Sequence, residues 1–129
     1  MKNYSREELE KLATENPNEL ALLFAQKVVR DKYAVASTWE DSRDVQIMKN
    51  KAYQVAQGML TDWTAVINAG KKAGIHMLIE PVVDSPLGQA AIAWRIGQIS
   101  AQVINNVSEG WPDCAALMIV MIEVEQGRG

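Results

Sequence analysis

The chain has 129 residues, of which 48% are apolar and 22% charged, with a formal net charge of −3. Those values exclude a disordered chain and suit a compact domain with a real core. They also argue against a general binder of nucleic acid, because phosphate binding draws on an excess of Lys and Arg.

In chain order, the first start signal is Ser5 followed by Glu8, the spacing of a capping box, with Leu9 and Leu12 as a short apolar edge. Asn16-Pro17-Asn18-Glu19 opens the next helix, with Asn16 as cap and Pro17 at the first position, where its missing N–H costs nothing. This helix is expected to carry Leu20, Leu23, Phe24, Lys27 and Val28 on one face and to run to about Ala36. "STWEDSRD" breaks the pattern. From there Val45, Met48, Ala52, Val55, Met59, Trp63 and Val66 recur at spacings of three and four, which predicts one helix with a single buried stripe. Gly70 and Gly74 around "KKA" mark its end, with basic residues in the last turn.

"IHMLIEPVVDSP" is ambiguous between helix, strand and loop. Pro81 argues against a central strand, so Ile75 to Val83 is read as a short helix stopped near Glu80. A long apolar helix is expected from about Pro86 to Val107, with small residues Ala90, Ala93, Gly97 and Ala101 in helical register. The last helix opens at Trp111-Pro112-Asp113 and carries nine residues from Cys114 to Ile122 without a charge. The expected fold is therefore all-α: a compact single-domain bundle of five to six helices spanning residues 1–129. The segment 86–107 forms its central helix, and residues 1–4 and 126–129 fray.

Charge is uneven along the chain. Residues 1–44 hold seven basic and nine acidic side chains, whereas Gly74 to Ile122 holds only Glu80, Asp84, Arg95, Glu109 and Asp113. The two apolar C-terminal helices are expected to need more cover than the charged N-terminal helices supply. A second copy of the chain would supply it, through Ile96, Ile99, Val103, Leu117, Met118, Met121 and Ile122.

Motifs of common enzymes are absent, including G-x-G-x-x-G, the P-loop, H-E-x-x-H, C-x-x-C and G-x-S-x-G. One histidine and one cysteine do not make a zinc site without carboxylates or a second subunit, and no metal or cofactor is expected. Glu40, Asp41 and Asp44 around Arg43 form an acidic knot, read as a solvated helix start for want of a second acidic pair. Cys114 reads as a small buried hydrophobe.

Four residues are candidates for binding a ligand or partner. Arg95 is the lone basic residue in an apolar stretch and suits a carboxylate or an anionic ligand. Trp39 and Trp111 stand beside loops, where they can anchor a partner. His76 lies among apolar neighbours.

The N-terminus lacks the apolar core of a secretory signal, and no stretch approaches the roughly 20 apolar residues that span a bilayer. The lone cysteine makes no internal disulfide, so a cytoplasmic protein without membrane contact is expected. Its expected function is that of a small oligomeric interaction protein, an adaptor or inhibitor with a protein partner and no catalytic step. The alternative is an oligomeric binder or hydrolase of a small anion such as a nucleotide, with its pocket at the subunit interface.

Overall fold

A computed structural model of the chain describes residues 3–30, 43–82, 85–95, 98–99, 103–104 and 110–127. These form a mainly α-helical fold with a small antiparallel sheet. Helix α1 (Arg6–Glu15) starts on the capping box its sequence encodes. The Ser5 hydroxyl accepts from the Glu8 N–H at 3.2 Å, and the Glu8 carboxylate accepts from the Ser5 N–H at 3.2 Å. Leu9 and Ala13, one turn apart, are its buried residues.

Helix α2 (Pro17–Phe24) follows at once, with Pro17 at its first turn. Every residue from Leu20 to Ala25 is buried, so this short helix has core on all sides. It continues into a π-helical turn, Ala25–Val29, and stops at Arg30, which adopts the left-handed conformation with φ of 58°. The described helical turn ends at Val29, and residues 31–36, over which the helix was expected to continue, lie outside the described residues. The left-handed Arg30 closes the turn by sending its N–H back to the Ala25 carbonyl.

The single helix expected from Val45 to Gly70 is two helices, α3 (Arg43–Met59) and α4 (Trp63–Lys72). Asp62 makes the break, its carboxylate capping α4 by accepting from the Ala65 N–H at 3.1 Å. With the break the stripe rotates. Val55 is 49% exposed, while Ala56 and Leu60 are buried in its place. Helix α4 ends as its sequence suggests, with Lys71 and Lys72 in the last turn and Gly74 at φ of 75° just beyond.

The segment from Ile75 onward overturns the all-helical expectation. Strands β1 (His76–Val82) and β2 (Ser85–Arg95) pair antiparallel, His76 facing Trp94 and Ile79 facing Ala91. On the other side of β2, β3 (Gln98–Ile99) pairs with Trp94 and Arg95, and β4 (Val103–Ile104) pairs with Ala90 and Ala91. No helix occupies 86–107 among the described residues. Pro81, which argued against a strand, lies where the ladder is interrupted. The register shifts between Pro81 and Val82, whose partners are Gln89 and Ser85, so Pro86 falls among the unpaired residues of β2.

The alternation along the hairpin has period two. Met77, Ile79, Ala91 and Ala93 turn to the core, while His76, Leu78 and Trp94 are exposed. The alanines are small because helix α5 (Ala115–Gln126) packs on β2.

Helix α5 takes the central place that was expected of segment 86–107. From Cys114 to Ile122 every residue is buried, against β2, α1, α2 and the π turn. The chain's own elements therefore cover both faces of this helix. Leu117, Met118, Met121 and Ile122 are each 0% exposed. Their expected role as a surface shared with a second copy gives way to an interior one, and with it the main reason for expecting an oligomer. Ile96 lies outside the described residues. Ile99 and Val103 belong to the short strands β3 and β4.

Two contacts fasten α1 to the far end of α5. Arg6 forms an ion pair with Glu123 through Nε and Oε1, reinforced by Nη2 to Oε2 at 2.7 Å. Gln126 both accepts from the Tyr4 N–H and donates to the Tyr4 carbonyl, each at 2.8 Å.

Candidate functional site

Two surface features stand apart from the buried core. The first is the outer face of the β1–β2 hairpin. His76 and Trp94 are cross-strand partners, and their rings stack with centroids 5.8 Å apart and an interplanar angle of 22°. The next outward pair is Leu78 opposite Ile92. Leu78 is 43% exposed, Trp94 37%, and Ile92 half-buried. Four adjacent side chains thus make an aromatic and aliphatic patch on a face that no described helix covers.

The second feature is a cleft of about 210 Å³ where the π turn and α4 come to their C-terminal ends. Val28, Val29, Ala69 and Ala73 provide apolar walls, Arg30 and Lys72 stand on the rim, and Glu125 of α5 reaches the same space. The Arg30 and Lys72 side chains make no ion pair or hydrogen bond among the described residues.

Of the four residues singled out in the sequence, His76 is on the hairpin patch. It lies on a strand rather than at the helix start its neighbours implied. Trp111 is a core residue: it is buried, and its indole N–H donates to the Thr14 hydroxyl at 2.9 Å, holding α1 against the segment before α5. It cannot anchor a partner from there. Trp39 lies outside the described residues. Arg95 ends β2 opposite Gln98. No two of the four meet in one described site.

Trp94, Leu78 and Ile92 were not singled out as site residues. The available signal was the alternation in "HMLI" and "AIAW", which is strand-like once read two residues at a time. Arg30 carried no signal, since nothing in "VVRD" announces a left-handed residue.

The remaining reactive groups are structural. Burial, with Asp113 and Asp62 nearby, pushes the Cys114 thiol up to about 12, so it stays protonated and unreactive at neutral pH. Asp62 is occupied as the cap of α4. Of the acidic knot, Glu40 and Asp41 lie outside the described residues. Among the described residues no group of three or more His, Cys, Asp or Glu side chains gathers to hold a metal ion, and no helix is long and apolar enough to cross a membrane.

No family model matches the chain, and no curated protein or solved structure matches it either.

Proposed function

We propose that the protein is a small interaction protein, an adaptor or inhibitor, that works by binding a partner protein through the outer face of its β1–β2 hairpin. The supporting observation is the stacked His76–Trp94 pair beside Leu78 and Ile92, exposed on a sheet whose opposite face is packed against the core. Large apolar side chains gathered on a surface mark contact sites, and tryptophan is among the residues that dominate binding energy when a partner buries them. The patch sits on paired strands, so its geometry is set before the partner arrives and little ordering cost is added on binding. His76 lends it a polar edge, with ring nitrogens able to hydrogen-bond a partner.

The test is capture of partner proteins by the wild-type chain and by the double substitution Leu78→Ser/Trp94→Ser. Circular dichroism checks that the variant is folded. The expected result is a partner held by the wild type and weakened at least roughly tenfold by the variant, in keeping with losses of about 2 kcal/mol or more at hot-spot residues. A partner bound equally by the folded variant overturns the assignment of this face. Sedimentation of the purified chain asks whether the partner is a second copy. In that case the subunit count rises with concentration and the same double substitution abolishes the rise.

A further inference from the structure

The cleft at the ends of the π turn and α4 has an unusual construction. A π-helical turn accommodates an extra residue in the helix, is rare, and is found frequently at functional sites. Here it runs directly into Arg30, a non-glycine residue in the left-handed conformation, at the position where helices commonly place glycine. Two disfavoured conformations in succession put a guanidinium on the rim of a cavity, next to Lys72 from the last turn of α4. The walls below them are Val28, Val29, Ala69 and Ala73, with no polar side chain among the four.

Size and charge narrow what fits. A closed cavity of about 150 Å³ accommodates benzene, so about 210 Å³ accommodates a tail of about six carbons. It falls below the range of roughly 300 Å³ and upward that drug-sized ligands occupy, which excludes a nucleotide. Arg30, Lys72 and Glu125 together give the lining one net positive charge, and the helix carbonyl ends that converge there add partial negative charge. The positive charge that remains suits at most a monoanion, and a phosphate dianion is not matched.

We propose that this cleft binds a small amphipathic monocarboxylate, its carboxylate held by Arg30 and Lys72 and its hydrocarbon tail against the valine and alanine walls. The site is separate from the hairpin face and does not depend on the function proposed for it. Arg30 supplies a planar fork that fits a carboxylate, and Lys72 supplies a second, mobile donor.

The test is a titration of the full chain, labelled with ¹⁵N, with hexanoate, followed by the amide resonances. 1-Hexanol and inorganic phosphate serve as controls. Hexanoate is expected to cause saturable shifts confined to residues 28–30, 69–73 and the end of α5, with the two controls weaker by about tenfold or more, the ratio expected when a charge-assisted pair is lost. Arg30→Gln/Lys72→Gln should weaken hexanoate by a similar factor while its spectrum stays dispersed. Arg30→Gly, which keeps Lys72, should weaken hexanoate by less than that variant yet melt at a higher temperature, because glycine relaxes the left-handed residue. Shifts that fail to saturate or fall elsewhere overturn the proposal. So does 1-hexanol binding as tightly as hexanoate, which would make the cleft an apolar crevice, or phosphate binding as tightly, which would make it a cation pair without use for the tail.

Discussion

Two glycines within helices illustrate how the same substitution takes opposite signs. Gly58 lies in α3 with nothing within 4 Å of where a Cβ would stand, and it is exposed. Gly58→Ala is expected to stabilise the fold by about 0.5–1 kcal/mol, chiefly by narrowing the unfolded ensemble. Gly70 lies in α4, where a Cβ would overlap Met77 Cε and stand 2.8 Å from Met121 Sδ. Met77 can swing its methyl aside, but Met121 is 0% exposed and has no free space to move into. Overpacking of about 1–3 kcal/mol then exceeds the helix-propensity gain of about 1 kcal/mol, so Gly70→Ala is expected to be destabilising. Urea midpoints of the two variants, compared with the parent, check both signs.

At the scale of elements, α2 and α3 are joined by the Tyr53 hydroxyl, which donates to Glu19 Oε2 at 2.5 Å. That hydrogen bond, with burial and the Glu19 charge behind it, pushes the phenol up to about 12. An unfolded tyrosine titrates near 10, so the folded state holds this proton more tightly. The linkage contribution is complete below pH ~10 and disappears as pH rises through about 12. Tyr53→Phe should therefore destabilise the fold at neutral pH, and the gap to the parent should close across that window. Urea midpoints measured from pH 8 to 12 check this. A gap that stays constant would mean the hydroxyl does not hold its proton through Glu19.

Elements were legible where local chemistry decides them. Ser5 with Glu8 names a helix start through reciprocal hydrogen bonds, and Pro17 names one through its fixed φ and missing N–H. Lys71-Lys72-Ala73-Gly74 names an end through basic residues before a left-handed glycine. All of this is chemistry that neighbours alone decide. The hairpin was not legible, because "GQAAIAW" satisfies two periods at once. Its alanines favour helix by propensity, and its Ile92 and Trp94 fit either pattern. Strand pairing with β1 decides between them, and pairing is a long-range event that no window of sequence contains. The candidate site shared that fate. His76 was found, but its stacking partner Trp94 fell inside the expected 86–107 helix, since the two meet only across the ladder. The cleft depends on a backbone reversal at Arg30 that side-chain patterns do not encode.

For the whole molecule, the decisive fact is that α5 is enclosed by its own chain. Leu117 and Ile122 are 0% exposed among α1, α2, the π turn and β2. Leu117→Ala and Ile122→Ala are each expected to cost about 2–5 kcal/mol, the range for truncating a buried large aliphatic side chain. Thermal melts read that loss, and native mass spectrometry should find the subunit count unchanged from the parent. A variant that keeps its melting temperature but loses a subunit would return these residues to an interface.

The enclosure of α5 also orders events during synthesis. Translation adds about 5–20 residues per second. Every element that surrounds α5 precedes it in the chain, so the surfaces of α1, α2 and β2 that will hold it leave the ribosome with nothing to hold. The Tyr4 backbone waits for a side chain 122 residues downstream. Until Gln126 has emerged the nascent chain offers bare apolar surfaces, which is the kind of exposure that makes partly folded chains prone to aggregate.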